Sequence, residues 1–404
     1  MWLADHWLML VLLAGYLVVL IVHARQGSRE TRGLADYFVG GRRLGGFAIG
    51  ISFFATYSST NTFLGFSGRS YSWGAPWLLL IAFAVVLSWC AWTFVAPRLR
   101  DVTERLGSVT VPDFIGFRFQ SPAARLLAAL IVLFSSFIYM TAVFKGIGNL
   151  LEAMLELPYP AAIGLVWIIV TLYTAVGGFH SVVRTDVTQG LLMVLAAALL
   201  FLGTVRAAGG PTVLADLAAD DETGHLFTWG GGVPVALLLG TLFATTVKFV
   251  VEPRQLSRFY ALADPGATRV GVWVSTLSFL VVFSLLAPIG LYAHRILAGP
   301  IVDTDRVVPE LLTLPDLFGA PTQAFLFLAI LSAALSSLDS VLLVVASTFH
   351  RDVWQLALRS RQLSEAASVR HTRFWVAFFA LVTAVIALRP PAGIIELTAF
   401  SGAL

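Results

Sequence analysis

Two clusters of oxygen-bearing side chains interrupt stretches of the sequence that are otherwise apolar. The first is TYSSTNT at residues 56–62, where seven consecutive side chains carry a hydroxyl or an amide and glycines lie on both sides. The second is LSAALSSLDS at residues 331–340. The polar residues that share one helical face in it are Ser332, Ser336 and either Asp339 or Ser340. Hydroxyl, carboxylate and main-chain oxygens are the ligands that hard cations prefer, so both clusters are candidate cation sites.

The rest of the chain places these clusters inside a membrane. Of 404 residues, 58% are hydrophobic and 12% are charged, and the mean hydropathy is +0.85, values typical of an all-α polytopic membrane protein. Runs of about 20 apolar residues are long enough to cross the hydrocarbon core of a bilayer. The predicted spans are 5–24, 45–67, 74–97, 124–152, 159–177, 184–206, 231–252, 268–294, 322–349 and 371–389. A further apolar segment begins at Pro390, and the chain is expected to be truncated within that helix.

The basic residues alternate between the connections of these spans. Nineteen of the 26 lysines and arginines fall in one set of connections, six fall in the other, and Lys248 lies within a span. By the positive-inside rule the richer set is cytoplasmic and the N-terminus is outside. The arginines counted on the cytoplasmic side include Arg254, Arg258, Arg359 and Arg361. This bias accounts for the net charge of +3, so nucleic-acid binding is not expected, and no loop carries a catalytic motif that would indicate an enzyme.

Polar groups in hydrocarbon cost free energy unless they are paired within the protein. Small hydroxyls could simply allow close helix packing, and this accounts well for scattered serines. A run of seven polar residues covers every face of a helix, so a broken helix explains residues 56–62 better. If the chain unwinds near 55–59, main-chain carbonyls lose their helical partners and can bind Na⁺, as in transporters with discontinuous helices. The two clusters are then expected to form one site.

Four stretches of the sequence resemble the sodium:solute symporter family in the correct order and at the correct spacing. They are GGRRLGGFAIGISFFATYSSTNTFLGFSGRSY (40–71), TLYTAVGGFHSVVRTDVTQGLLM (171–193), EPRQLSRFYALAD (252–264) and SAALSSLDSVLLVVASTFHRDVW (332–354). The resemblance implies a LeuT-type helix bundle of two inverted five-helix repeats with a discontinuous second span. It divides the single transmembrane domain into an extra N-terminal span and loop (1–44), a first repeat (45–206) and an incomplete second repeat (231–404).

The resemblance also implies a sodium site shared by the two clusters. The broken span would supply the carbonyls of Ala55 and Ser58. The ninth span would supply the carbonyl of Ala333 and the hydroxyls of Ser336 and Ser337.

Three further residues match positions near the ion in this family. Asp186 resembles an acidic residue on the inward path of ion release. Asp339 and Ser340 are candidates for a second sodium site, and the alternative for Asp339 is a carboxylate hydrogen-bonded to neighbouring hydroxyls.

The solute is less clearly indicated. Positions that resemble the family's substrate site are Asn61, Thr62, Tyr139, Thr245 and Ser340, and they are more similar to the proline and pantothenate branch than to the sugar branch. Lys248 adds a physical indication, because an ammonium buried in a span is costly without an anion and a substrate carboxylate could be that anion. The alternatives are that Lys248 reaches a lipid headgroup or pairs with Glu252 one helical turn away.

The sequence therefore predicts a multi-pass protein of the cell (inner) membrane that imports a small organic solute, an amino acid or other carboxylate, together with Na⁺ by alternating access. The solute and the lipid bilayer are its expected partners, and nothing in the sequence sets the oligomeric state. Two other functions remain open at this stage. One is a non-transporting membrane sensor or regulatory module, and the other is a uniporter or channel of the same fold without ion coupling.

Overall fold

The computed structural model describes residues 2–314, 316–356 and 364–403, with the backbone alone at residues 3–5. Arg359, Arg361 and Leu404 lie outside the described residues. Within those ranges the regular structure is helical apart from one isolated bridge between Leu44 and Leu262. The α-helices are Trp2–Glu30, Leu34–Val39, Gly46–Tyr57, Phe66–Trp73, Leu79–Cys90, Ala96–Leu106, Val111–Phe119, Pro122–Leu155, Tyr159–Ala208, Val213–Ala219, Val235–Thr246, Lys248–Val251, Pro253–Ala261, Pro265–Leu286, Ile289–Ile296, Val307–Thr313, Ala320–Thr348, Glu365–Ala387 and Ile394–Ala403.

Eight helical stretches in the described ranges are long and apolar enough to cross a membrane. The ten predicted spans agree with this number once two features are considered. The stretch Tyr159–Ala208 contains the predicted fifth and sixth spans, and the second span is divided into shorter helices. The apolar segment after Pro390 forms the helix Ile394–Ala403, which packs against the fourth and seventh spans.

Gly178 separates the fifth span from the sixth. Its φ of 64° and ψ of −169° interrupt the helical backbone within Tyr159–Ala208, and only glycine adopts this conformation without strain. A Cβ atom at this position would also lie 2.8 Å from the ring of Tyr37. The pair Gly177–Gly178 therefore marks the boundary between two spans.

The ninth span, within Ala320–Thr348, forms the centre of the bundle. Its 18-residue apolar stretch is entirely buried, and it packs against Tyr159–Ala208 on one side and Pro122–Leu155 on another. Its alanines and serines leave room for this close approach, because small side chains allow helix backbones to come near each other. The second polar cluster is thus inside the protein and faces other helices rather than lipid.

The second span is broken where the polar run predicts. The helix Gly46–Tyr57 ends at Ser58, whose φ of −71° and ψ of 119° are extended. A π-helical turn at Asn61–Gly65 and the helix Phe66–Trp73 then continue the span.

The seventh span is also interrupted. Glu252 is extended, with φ −72° and ψ 127°, between Lys248–Val251 and Pro253–Ala261. The residue before a proline is disfavoured from the α conformation, which explains the position of this second break. The interruption of the seventh span therefore lies at Glu252.

Candidate ion and solute site

The carbonyl groups at the end of Gly46–Tyr57 have lost their usual helical partners. The amide of Ser59, which would donate to Ala55 in a continuous helix, is instead 3.4 Å from Thr62 Oγ1. The carbonyl of Thr56 accepts from Arg254 Nη1 at 3.0 Å. The last carbonyls of a helix need partners from elsewhere, and here that need falls inside the bundle.

The ninth span supplies a partner for these carbonyls. Ser337 Oγ donates to the carbonyl of Thr56 at 2.9 Å and lies 3.2 Å from the carbonyl of Ser58. Ser336 directly precedes Ser337, and Ala333 lies one turn earlier on the same buried helix. The structure thus brings the broken span and the serine cluster together, as the sequence predicts.

Asp186 lies beside this contact and is fully buried. Its Oδ1 accepts a hydrogen bond from Ser336 Oγ. Its Oδ2 accepts from Ser52 Oγ at 2.5 Å, from Arg258 Nη2 at 3.0 Å and, more weakly, from Thr56 Oγ1 at 3.4 Å. A carboxylate that connects the broken span, the sixth span and the ninth span can transmit a change at one of them to the others.

The charge distribution assigned Arg258 to a cytoplasmic connection, and the structure shows that this assignment is wrong. Arg258 is 1% exposed, and its Nη2 lies 3.0 Å from Asp186 Oδ2 and 2.6 Å from Ser340 Oγ. Its Nε reaches Ser52 at 3.2 Å, and its guanidinium lies over the ring of Phe179. Ser340, one of the two residues suggested for a second sodium, therefore accepts a hydrogen bond from a guanidinium.

Asp339 is the other carboxylate in this region. Its Oδ1 accepts from Ser340 Oγ at 3.2 Å, whereas its Oδ2 is buried and has no hydrogen-bond partner among the described residues. Bonding to a neighbouring hydroxyl thus accounts for one of its two oxygens. Ser340 also lies 3.2 Å from Thr56 Oγ1, so it contacts the broken span directly.

Arg254 is a second buried cation that the sequence placed in a connection. It is 2% exposed, and it forms an ion pair with Glu252, in which Nη2 donates to Oε2 at 3.1 Å and Nε lies 2.7 Å from Oε1. Its guanidinium lies 3.7 Å from the ring centroid of Tyr139. The signal for its role was the Glu-Pro-Arg sequence, because a proline beside two opposite charges at the end of a span indicates a broken helix rather than a solvated loop.

The surroundings of Lys248 contradict both alternatives considered from the sequence, namely contact with a lipid headgroup and pairing with Glu252. It is 1% exposed, so it does not reach outward to a headgroup. Glu252 is taken by Arg254, and Lys248 Nζ has no hydrogen bond or ion pair with any described residue. The ammonium lies 5.1 Å from the ring centroid of Tyr139, within cation–π range.

The remaining predicted solute positions also present polar groups without partners. The buried atoms that have none among the described residues include Asn61 Oδ1, Tyr139 OH and Thr245 Oγ1. The Thr62 hydroxyl accepts from Ser59, and the Thr245 carbonyl accepts from Tyr57 OH at 2.8 Å. A separate cavity of ≈ 220 Å³ is lined by Lys248, Glu252 and Arg254 together with Ser135 and Ser136, and Asn61, Tyr139 and Thr245 are not among its lining residues. No hydrogen bond joins Asn61 or Thr62 to the hydroxyl of Tyr139 or the ammonium of Lys248.

Comparisons with known proteins show the family to which the chain is similar. The profile of the Sodium:solute symporter family matches residues 37–403. The sodium/pantothenate symporter of Haemophilus influenzae is 27% identical over 384 residues, which are 92% of this chain and 77% of that protein. The high-affinity proline transporter PutP of Bacillus subtilis is 29% identical over 93% of this chain and 80% of its own length.

A solved structure shares the fold. A Na⁺-coupled sialic acid symporter, in a substrate-bound outward-open state, superposes with a TM-score of 0.83 at 20% sequence identity. The match covers 94% of this chain and 80% of that one. It confirms the predicted LeuT-type helix bundle.

Proposed function

The chain belongs to the sodium:solute symporter family, and from that premise we propose that it imports a small carboxylate together with Na⁺ by alternating access. It is a multi-pass membrane transporter and not an enzyme, and it carries out sodium-coupled symport of a small organic solute. The direction of transport, the class of solute and the roles of individual residues are the proposal.

In this proposal Na⁺ binds where the broken span meets the ninth span. The carbonyls of Ala55, Ser58 and Ala333 and the hydroxyls of Ser336 and Ser337 are its ligands. The observation that carries the assignment is the approach of Ser337 Oγ to the carbonyl of Ser58 at 3.2 Å. A serine hydroxyl can accept as well as donate, so rotation of this group turns a lone pair toward the cation while the carbonyls stay in place.

Coupling between ion and solute follows from the short distance along the chain between their ligands. Ser58 binds the ion, and Asn61 and Thr62, three and four residues further on, contact the solute. Because one irregular segment must be ordered for both ligands, each ligand favours binding of the other, and a coupling free energy of about 1–3 kcal/mol is sufficient. Arg254 steadies this segment through the carbonyl of Thr56.

Lys248 binds the carboxylate of the solute in this proposal. It is the one described buried lysine whose ammonium has no polar partner, and pairing with an anion would lower the cost of holding it in the membrane. Tyr139, Thr245, Asn61 and Ser340 supply further hydroxyl or amide contacts. Pantothenate and proline, the solutes named for two relatives, both carry a carboxylate.

Orientation follows the charge distribution. We place the N-terminus outside the cell membrane, with the first repeat at 45–206 and the second at 231–404. Ion pairs such as Lys145–Asp305 and Arg125–Asp352 join residues assigned to the same side. The membrane potential then drives Na⁺ inward with about 2.3 kcal/mol per charge per 100 mV.

The test is uptake by the purified chain in proteoliposomes. A panel of labelled carboxylates, amino acids and sugars is offered with an inward Na⁺ gradient and with an equal gradient of K⁺. We expect accumulation of a carboxylate only with the Na⁺ gradient, and more of it when the interior is negative. Equal uptake in the K⁺ gradient would refute ion-coupled import.

A further inference from the structure

A cavity at one rim of the bundle has no role in the site described above. It has a volume of ≈ 600 Å³ and lies between the N-terminal helix Trp2–Glu30 and the first half of the broken span. Both of these helices pack against Tyr159–Ala208, which forms its floor near His180 and Arg184. The cavity therefore lies at the junction of the N-terminal helix, the broken span and the sixth span.

The wall of this cavity has an excess of positive charge. Its charged lining consists of Arg29, Arg32, Arg43 and Arg184 with Glu30 as the opposing carboxylate. Glu30 is bound to Arg184 at 2.5 Å. Two guanidinium groups, those of Arg29 and Arg32, have no hydrogen bond or ion pair with a described residue and are available to an anion.

Four of the lining residues are apolar, and an apolar face of Tyr159–Ala208 continues beyond them. Val183, Val187 and Ala48 line the same cavity. Beyond Val187, exposed leucines at positions 191, 195 and 202 follow at spacings of four and seven residues, so they lie on one face of the helix. At 1.5 Å per residue, Val187 to Leu195 covers about 12 Å, close to the depth of one leaflet of a hydrocarbon core of about 30 Å.

A cationic end joined to an apolar track suits an amphiphile with an anionic head. A soluble anion would use the arginines and leave the track unoccupied, and a zwitterionic lipid would bring an ammonium toward Arg29 and Arg32. Basic pockets between membrane helices bind anionic lipid headgroups in general, and guanidinium groups bind phosphate oxygens in pairs. Charge complementarity thus selects one kind of occupant.

We propose that this cavity binds one anionic phospholipid. Its phosphate lies against Arg29 and Arg32, and one acyl chain follows Val187, Leu191 and Leu195. The lipid then fills the space between the N-terminal helix and the broken span, so it stabilises the attachment of that helix to the transporter core.

The experiment measures lipid retained by the purified full chain in detergent, using native mass spectrometry and thermal unfolding. The wild-type chain is expected to retain one phosphatidylglycerol in preference to phosphatidylcholine and to unfold at a higher temperature when it is added. The variant Arg29→Gln/Arg32→Gln should bind phosphatidylglycerol about 30-fold more weakly, given the attraction of each basic residue for an anionic lipid. The control Arg98→Gln/Arg118→Gln removes two exposed arginines outside the cavity and should behave like the wild-type chain.

Competition on the wild-type chain tests the proposal without any substitution. Long-chain phosphatidylglycerol should displace the bound lipid, whereas inorganic phosphate and glycerol phosphate should not, because they cannot use the apolar track. Displacement by inorganic phosphate would show a site for a free anion and would overturn the proposal. Equal loss of lipid from both double variants, or no loss from Arg29→Gln/Arg32→Gln, would overturn it as well.

Discussion

Ser337 Oγ lies 3.2 Å from the carbonyl oxygen of Ser58, although 279 residues separate them in the chain. The contact joins the point where the second span is broken to the buried helix at the centre of the bundle. A hydroxyl is needed here because the carbonyls at the helix end have lost their main-chain partners and are out of reach of water. The same oxygens are ones that a cation can bind, and we propose that Na⁺ binds at this contact.

Replacing Lys248 by methionine should raise the stability of the protein and lower its affinity for the solute. The variant should be more stable than the wild-type chain without solute, by about 1 kcal/mol or more, because it removes a buried charge that has no partner. It should bind the carboxylate solute at least tenfold more weakly, since hydrogen bonds to charged groups contribute about 1.5–3 kcal/mol. Chemical denaturation in micelles and competition by the carboxylate and its uncharged amide measure the two effects.

Lys145→Met is the matched control for that experiment. Lys145 pairs with Asp305 at 2.8 Å, so its loss should lower stability and leave the preference for the carboxylate unchanged. A Lys248→Met variant that still prefers the carboxylate to its amide would exclude Lys248 from the solute site.

The ion pair of Arg258 with Asp186 should behave as a coupled unit. Arg258→Gln leaves a buried carboxylate without its cation and should lower the free energy of unfolding by about 3–5 kcal/mol. Arg258→Gln/Asp186→Asn should cost less than the sum of the single changes. The exposed pair of Arg306 with Glu310 provides the comparison, since Arg306→Gln should cost about 1 kcal/mol or less. Additive effects at Arg258 and Asp186 would show that the two side chains act independently.

Gly178 should not tolerate a side chain. Gly178→Ala forces a Cβ into a conformation that costs about 1–3 kcal/mol and against Tyr37, so the unfolding temperature should fall. Gly164 lies in the same long helical stretch, and a Cβ there would meet nothing within 4 Å. Gly164→Ala should be neutral or stabilising, because alanine favours helices by up to about 1 kcal/mol over glycine. Equal melting temperatures for the two variants would contradict the boundary at Gly178.

The sequence contained enough information to locate the spans, the break at residues 56–62 and its partner in the ninth span. These features depend on local patterns, namely apolar length, a polar run that no helix can bury on one face, and a proline after Glu252. Arg254 and Arg258 were misplaced because arginines that follow the end of an apolar run were assigned to a cytoplasmic connection. Their partners Asp186 and Glu252 neutralise them only once the chain is folded, and no spacing along the sequence encodes that pairing for Arg258.

Binding of radioactive sodium to the purified chain, without a gradient or added solute, tests the central claim most directly. Ser336→Ala/Ser337→Ala removes two proposed ligands and should raise the Na⁺ concentration for half-saturation by roughly tenfold, with a similar rise in the Na⁺ required for uptake. Ser332→Ala is the control, since that hydroxyl bonds only to the carbonyl of Ala329 in its own helix, and it should bind Na⁺ like the wild-type chain. Unchanged Na⁺ binding by a correctly inserted Ser336→Ala/Ser337→Ala variant would contradict the assignment of the ion to the contact between the broken span and the ninth span.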